Sequence, residues 1–376
     1  MAAAEHQLRF AIVGCGRVVR ELHLPAWQRI SEAKLVAIYD SSEQAAASLA
    51  AITPGVRIYH DFDRLLRDSS NFDFGVLATP GNTHQDLGSQ LLARGLHVLC
   101  EKPLALNAED AARMYEIADS RGVMLTPAHN YRFRDNALAA LANSVRAALG
   151  DPVSATLRFH SGSLFDEPAR WAREEQAYRV LLFDLAYHFV DLALLFLGPV
   201  HELRFVDAER DNLGLRYVVI GTLHQNGARG LFELKIEASC CRTELEVAGE
   251  NRALMVEFFP NGFRLLPRRD TPLYRVFHDT ARIWRYSSAM IRERFLRALP
   301  ERCIGHERLF RAFVAALRGR SENPVSRDTA LETVSLLDAV AQHAYSNDVR
   351  EKAFSGRPSE PLDFRTQDGL PLKLGL

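Results

Sequence analysis

The chain has 376 residues, of which 47% are hydrophobic and 25% are charged, so it can bury the cores of two or more globular domains. Its 46 basic and 47 acidic residues nearly cancel. The near-zero net charge and the high apolar content exclude disorder across the whole chain. The sequence also lacks the basic excess that is typical of nucleic-acid-binding proteins. No apolar run reaches the ~18 residues of a membrane span, and we expect no signal peptide. Five cysteines without C-x-x-C spacing predict reduced thiols in a cytoplasmic protein.

Strand and helix signals alternate through the first 125 residues. Apolar runs predict strands at 8–13, 35–39, 56–59, 74–78, 97–100 and 124–128. Helical patterns lie between them, at 18–30, 42–51, 62–67, 84–94 and 108–120. This alternation predicts an α/β domain with a parallel, doubly wound sheet, which we place at residues 1–128.

The pattern changes after about Gly150. Alternating apolar segments predict strands at 153–159, 202–206, 216–224, 230–239, 243–248 and 253–259. Asn226-Gly227 indicates a hairpin between two of them, and Leu181 to Phe196 reads as a helix. We therefore predict an α+β domain over 129–376, with a large, mainly antiparallel open sheet and final helices able to pack back on the first domain.

A basic stretch from Tyr274 to Leu299 has an apolar stripe at helical spacing and five arginines mostly away from it. The favoured interpretation is a helix that packs on its own domain or across a subunit interface. The alternative is a helix that lies on an anionic membrane surface or a phosphorylated partner.

A glycine-containing turn joins the first strand to the first helix, as in a dinucleotide-binding fingerprint. Gly14 allows a tight turn, and Gly16 lets the backbone approach a pyrophosphate, although Val19 replaces the third glycine. Asp40 ends the second strand, where a carboxylate accepts hydrogen bonds from a ribose diol. Ser41 and Ser42 follow without an arginine, which favours NAD over NADP; the alternative is a purely structural turn. The predicted cofactor contacts here are Gly14, Gly16, Arg17, Val18 and Asp40.

Two further segments follow strands at the edge where open parallel sheets bind ligands. In the first, Thr79, Pro80, Asn82 and His84 are candidate cofactor contacts, with helix capping as the alternative.

The second segment, Glu101-Lys102-Pro103, also follows a strand. We expect Lys102 to be partly desolvated, which lowers the pKa of an amine, and to be directed by an X-Pro bond that permits a cis peptide. On its own the tripeptide is common at protein surfaces, and that is the favoured interpretation of the isolated motif.

Asp184, His188 and Asp191 lie on a predicted apolar helix, with the first two on one face. A histidine takes and returns a hydroxyl proton near neutral pH. The alternative is a buried histidine satisfied by a carboxylate. No third ligand accompanies Asp184 and His188, so we predict no metal site.

In this order and spacing, these segments and Asn130-Tyr131-Arg132-Phe133 resemble the Gfo/Idh/MocA family of NAD(P)-dependent oxidoreductases over essentially the whole chain. The resemblance implies a Rossmann domain that binds NAD, a secondary hydroxyl of a sugar, nucleotide-sugar or cyclitol as substrate, and a homodimer or homotetramer formed through the second sheet. It implies that Lys102 orients the substrate, that His188 is the acid/base, and that Asp184 assists. Glu101 and Lys102 join the cofactor contacts. Candidate substrate contacts are Asn130, Arg132, Trp171, Arg179 and Tyr187.

The segment 176–180 lacks the glycine run common in that family, and Ala186 stands where it often has glycine. Arg179 near Trp171 could bind an anionic substrate group, or the loop could simply be solvated. Two other functions compete with a dehydrogenase. One is glycoside cleavage or elimination through transient oxidation by tightly held NAD, and the other is a non-catalytic nucleotide-binding scaffold.

Overall fold

The computed structural model describes residues 6–161, 180–211, 214–236, 242–258, 261–266 and 301–345, together with Thr280 and Trp284. The described residues do not include Trp171, Arg179 or nearly all of the 274–299 stretch. The predictions made for these residues stay predictions.

The first half contains the predicted parallel sheet. Its strands are β1 (Leu8–Val13), β2 (Ala33–Tyr39), β3 (Arg57–Tyr59), β4 (Phe74–Leu77), β5 (His97–Cys100) and β6 (Leu125–Pro127). They pair in the order β3-β2-β1-β4-β5-β6, and every pairing is parallel. The strand order reverses between β1 and β4, and an open α/β sheet binds ligands beyond the carboxyl ends of its strands at such a point.

Helices alternate with the strands of this half, and three of them begin at a capping side chain. They are α1 (Leu24–Trp27), α2 (Glu43–Ala50), α3 (Phe62–Arg67), α4 (His84–Ala93), α5 (Ala108–Arg121), α6 (Asp135–Leu141) and α7 (Asn143–Leu149). A π-helical turn, Val19–His23, precedes α1, and short 3-10 turns occupy Ser69–Asn71, Gly81–Thr83 and Asn130–Phe133. The side chains of Ser42, Asp61 and Asn107 accept backbone N–H groups at the starts of α2, α3 and α5. Gly122, in the left-handed region at φ 63°, ends α5.

The second half forms a seven-stranded sheet. Its strands are β7 (Pro152–His160), β8 (Val200–Asp211), β9 (Gly214–His224), β10 (Arg229–Lys235), β11 (Arg242–Gly249), β12 (Ala253–Phe258) and β13 (Asn261–Leu266). The order is β13-β12-β11-β7-β10-β9-β8, with only β7 and β10 parallel. The predicted mainly antiparallel sheet is thus confirmed, as is the hairpin turn at Gly227, where φ is 84°.

One face of this sheet is covered by a helix and the other is partly open. A π-helical segment, Val180–Ala186, leads into α8 (Tyr187–Leu197), and Phe189 of α8 stacks on Phe159 of β7 with ring centroids 5.3 Å apart. On strands of the same sheet, the side chains of Val153, Phe205 and Leu231 are 53%, 49% and 40% exposed. The helix predicted at 181–196 is present, but its first part, up to Ala186, is a π-helix and not an α-helix.

The last two helices, α9 (Glu301–Leu317) and α10 (Arg327–Tyr345), return to the first half. Phe310 of α9 stacks on Trp27 with centroids 4.4 Å apart. At α10, Asp338 accepts the backbone N–H of Ala108 at 3.0 Å. Across the part of the chain that the structure describes, no helix combines the length and the apolar character needed to cross a bilayer.

Candidate active site

A cavity of about 810 Å³ lies beyond the carboxyl ends of β1, β2 and β4. The predicted contacts that line it are Gly14, Gly16, Arg17, Asp40, Thr79, Pro80 and Asn82. It therefore lies at the edge of the sheet where the order of the strands reverses, as the sequence predicted.

The turn after β1 requires glycine at its first position. Gly14 has a φ of +99°, and a Cβ atom there would lie 2.6 Å from the carbonyl oxygen of Ala78. At Gly16, by contrast, a Cβ would meet no atom within 4 Å, so its open backbone faces space that a pyrophosphate could occupy. These two glycines thus have separate roles, one in chain packing and one in leaving room.

The carboxylate of Asp40 is held in place at the end of β2. Its Oδ2 accepts the N–H of Cys15 at 2.7 Å, and its Oδ1 accepts the N–H of Ser42 at 2.8 Å. Each oxygen keeps a lone pair for a ribose hydroxyl. Arg17 lines the same cavity, although the sequence around Asp40 had indicated no arginine nearby.

His84 does not line that cavity. Its side chain is 1% exposed, and its Nδ1 and Nε2 lie 2.7 Å and 2.8 Å from the carbonyl oxygens of Pro103 and Thr79. Burial lowers the pKa of His84 despite these two contacts. The structure thus places the His84 ring between the Thr79 turn and the Lys102-Pro103 turn, apart from the cavity lined by the other predicted contacts. Val18 is likewise absent from the cavity lining.

Lys102 lies two residues after the end of β5, and the Lys102-Pro103 peptide bond that follows it is cis. Its Nζ donates to Asp184 twice, to Oδ1 at 2.6 Å and to the backbone oxygen at 2.9 Å. Burial opposes the ammonium, but the carboxylates of Asp184 and Glu101 outweigh it and raise the pKa of Lys102. The expectation of a lowered pKa was therefore wrong, because desolvation was considered without the acidic partners.

Lys102 and Asp184 line a second cavity, of about 520 Å³. Its other lining residues are Tyr131, Phe159, His160, Ser161, Leu185, His188, Phe189 and Thr243. The exposed surface of this cavity is largely apolar, with a small number of polar groups among its lining side chains.

His188 enters this cavity from the first turn of α8. Its ring stacks on Tyr131, with centroids 4.3 Å apart and planes 15° apart. Burial, reinforced by the positive charge of Lys102, holds the pKa of His188 well below its usual value. The imidazole is therefore neutral near pH 7 and able to accept a proton.

Asp191 points away from the cavity into a buried ion pair. Arg132 donates through Nε to its Oδ2 at 2.8 Å, and His129 Nδ1 lies 2.7 Å from its Oδ1. Although burial opposes its ionisation, Arg132 and His129 hold the pKa of Asp191 far below its usual range. The other ring nitrogen of His129 lies 2.9 Å from the hydroxyl of Tyr187, which is fully buried.

Three predicted substrate contacts lie in buried polar contacts. Arg132 and Tyr187 belong to the Asp191 network, and the amide of Asn130 contacts His306 Nδ1 at 3.3 Å. All three are buried, and none lines the cavity of Lys102. Tyr131, between Asn130 and Arg132, does line it, but nothing in the sequence distinguished it from its neighbours.

Glu101 also turns into the interior, away from both cavities. Its Oε1 lies 2.6 Å from His23 Nε2 and 3.6 Å from His306 Nε2, and its Oε2 accepts the N–H of Lys102 at 3.1 Å. The structure thus corrects its assignment as a side-chain contact of the cofactor. His23 and His306 had no sequence signal, because they lie 78 and 205 residues from Glu101.

Comparison with known proteins agrees with this geometry. Residues 8–129 match the family model described as "Oxidoreductase family, NAD-binding Rossmann fold", and residues 131–255 match the "GFO/IDH/MocA C-terminal domain".

Among curated relatives, the D-xylose 1-dehydrogenase (NADP(+)) 2 of Haloferax volcanii is 31% identical over 60% of this chain and 69% of its own. The D-apiose dehydrogenase of Paraburkholderia graminis is 30% identical over 51% of this chain and 50% of its own. The chain spans about half the length of several curated relatives that it matches.

The fold is also that of solved structures. The WlbA dehydrogenase from Bordetella pertussis, solved with NADH and UDP-GlcNAcA, superimposes with a TM-score of 0.73 over 91% of this chain and 96% of its own. At 22% identity, this likeness concerns the fold.

Proposed function

Because the chain belongs to the Gfo/Idh/MocA oxidoreductase family, we propose that it is an NAD-dependent oxidoreductase acting on a sugar-like substrate. The reaction is hydride transfer between the nicotinamide and a secondary hydroxyl or ketone. One observation carries the proposal: Lys102, its partner Asp184 and the neutral His188 line one apolar cavity. His84 connects the turn that carries Lys102 to the Thr79 turn of the nucleotide-sized cavity.

The cofactor cavity fits a dinucleotide. Gly14 allows the close approach to Ala78, and Gly16 leaves the backbone open beside the start of the first helical turn, where a pyrophosphate is stabilised. Asp40 supplies two anchored acceptors for the adenosine ribose, and its charge disfavours a 2′-phosphate, so we propose NAD. Arg17 lines the same cavity, and its positive charge opposes this preference by favouring a 2′-phosphate. The affinities for NAD+ and NADP+ should therefore be measured side by side. When bound, the nicotinamide supplies the hydride acceptor or donor.

The chain's own residues handle the proton and the developing charge. His188, held neutral by burial, takes the hydroxyl proton at its imidazole nitrogen during oxidation and returns it during reduction. Lys102 donates to the reacting oxygen and stabilises its negative charge. Asp184 directs the ammonium through its carboxylate and its carbonyl, both of which Lys102 contacts.

The cavity favours a ring with one apolar face. Tyr131, Phe159 and Phe189 provide aromatic surface, while Ser161 and Thr243 add hydroxyl groups near the sheet. Sugars and cyclitols combine C–H faces with hydroxyl edges in this way. The two relatives named above are dehydrogenases of D-xylose and D-apiose, which supports a sugar-like substrate here.

We further propose a cytoplasmic homodimer or homotetramer that uses the open face of the second sheet. The exposed side chains of Phe205 and Leu231 lie on this sheet, and apolar patches on a sheet commonly mark an interface. Cys15 and Cys100 are buried free thiols, as expected in a reducing compartment. Light scattering at two protein concentrations measures the assembly state directly.

The decisive experiment measures nicotinamide reduction by the purified protein, given NAD+ or NADP+ and a panel of sugars, sugar acids, cyclitols and nucleotide-sugars. A substrate-dependent rise in NADH with a matched loss in the His188→Asn variant supports the proposal. Product formation without net NADH indicates the closed redox cycle instead. Nucleotide binding with no chemistry toward any compound, in both the wild type and the variant, indicates a scaffold.

A further inference from the structure

The buried carboxylate of Glu101 lies directly behind the catalytic lysine. Its side chain is 8% exposed, and those of His23 and His306 are 1% and 5% exposed. One carboxylate oxygen faces the two imidazoles, and the other accepts the backbone N–H of Lys102. A buried carboxylate with this arrangement fixes the peptide from which the lysine side chain departs.

The two histidines come from elements that do not otherwise meet at Lys102. His23 ends the π-helical turn that follows the glycine turn of the cofactor cavity. His306 lies on α9, which approaches closely because residue 305 is glycine: a Cβ there would lie 2.5 Å from the carbonyl oxygen of Asn130. Glu101 therefore connects the nucleotide-binding turn, the lysine and the C-terminal helices.

The charges within the cluster indicate hydrogen bonding to a carboxylate. Burial lowers the pKa of His23, so its ring is neutral and donates through Nε2. Burial alone would raise the pKa of Glu101, but His23 and His306 reverse this and hold it well below its usual value. The amide nitrogen of Asn130 beside His306 Nδ1 leaves Nε2 of that ring to carry the proton toward Glu101.

The same three side chains place their ligand atoms within 4.8 Å of one another, as a metal site would. The 2.6 Å separation of His23 Nε2 and Glu101 Oε1 is a hydrogen-bond distance, shorter than the spacing of two ligands about one ion with ~2.0–2.2 Å bonds in tetrahedral geometry. The geometry therefore favours a proton between these atoms rather than a cation.

We propose that His23 and His306 are positioning residues that act through Glu101 to hold Lys102 against Asp184. Neither histidine lines the cofactor cavity or the lysine cavity, so their effect on catalysis is indirect. The inference rests on the proposed function for its kinetic consequence, but the geometry of Lys102 can be measured without turnover.

The test compares three variants with the wild type. His306→Leu removes the donor toward Glu101, and His306→Gln restores a side-chain N–H of similar reach. Phe310→Leu is the matched control, because Phe310 packs edge-on against both His23 and His306 and has an apolar side chain that cannot donate a hydrogen bond to Glu101. Each protein is assayed for kcat, NAD+ affinity and melting temperature, and the Lys102 ammonium is followed by lysine-selective NMR.

We expect His306→Leu to lower kcat at least tenfold and broaden the Lys102 ammonium signal, with NAD+ affinity within twofold of the wild type. His306→Gln should recover most of both properties, and Phe310→Leu should lower only the melting temperature. An unchanged ammonium signal in His306→Leu would overturn the inference, as would an equal loss in Phe310→Leu. So would a stoichiometric metal in the wild-type protein that His306→Leu lacks. If the wild type turns over no compound, the proposed function fails, while the NMR comparison still decides the role of His306.

Discussion

Replacing Lys102 by methionine removes the ammonium group while keeping a flexible chain of similar length. The Nζ atom has three N–H donors, and Asp184 accepts two of them, at 2.6 and 2.9 Å. One donor therefore remains for a substrate oxygen. Loss of a single donor to a developing oxyanion costs about 2.7–4 kcal/mol, or roughly 10²–10³ in turnover, so we expect Lys102→Met to lower kcat by that factor.

The same structure predicts what Lys102→Met leaves intact. Lys102 does not line the cavity of Gly14 and Asp40, so the NAD+ dissociation constant should change by less than about threefold. The ion pair is partly exposed, at 16% for Lys102 and 34% for Asp184, so its loss should cost at most ~1 kcal/mol of stability.

The assay follows NADH absorbance at saturating substrate, together with NAD+ titration by fluorescence. Lys34→Met, at an exposed position on β2, is the matched control and should behave as wild type. Near-normal turnover in Lys102→Met would refute the reasoning, since among the described residues Lys102 is the one primary-amine donor that lines this cavity.

The further predictions concern three other ionisable residues, His188, Asp40 and Asp191. Because burial and Lys102 hold the pKa of His188 well below 6.5, the acid limb of kcat/KM for oxidation should lie below pH 6.5; a midpoint above that value would contradict the assignment. Asp40→Asn removes the charge and one anchored acceptor, at a cost of about 1.5–3 kcal/mol, so NAD+ affinity should fall roughly ten- to a hundredfold with a relative gain for NADP+, both measured by titration. Asp191→Asn leaves Arg132 buried without its counter-ion, so urea unfolding should show a loss of about 3–5 kcal/mol; an unchanged midpoint would mean that the pair contributes little. Since the pKa of Asp191 is depressed in the folded protein, its stabilisation is complete above its ordinary pKa of 3.8 and is lost as pH falls from there toward the folded pKa.

The sequence determined the elements and the edge of the sheet at which ligands bind. Strands β1 and β5 have the bounds predicted from their apolar runs, because a strand buried in a parallel sheet reads as a continuous apolar segment. The roles of Gly14 and Asp40 followed from their places after the first and second strands, since these positions are fixed by local chain geometry. Lys102 and His188 were found through their spacing along the chain and the family resemblance, and both line one cavity.

Only the tertiary structure decided which polar side chains face that cavity. Asn130 and Arg132 flank Tyr131 in one short turn, yet the outer two are buried in polar contacts and Tyr131 lines the cavity. Local sequence carries no information on this choice, because Arg132 meets Asp191 across 59 residues.

The charge state of the lysine was decided in the same way. Burial alone lowers the pKa of an amine, but the carboxylate of Asp184, 82 residues along the chain, reverses the direction. Electrostatic interactions depend on distances in space, and this distance was set when the π-helical segment before α8 packed beside the turn after β5. The sequence therefore indicated where the candidate site lies, and the packing of segments distant in the chain decided which of the predicted side chains face the cavities.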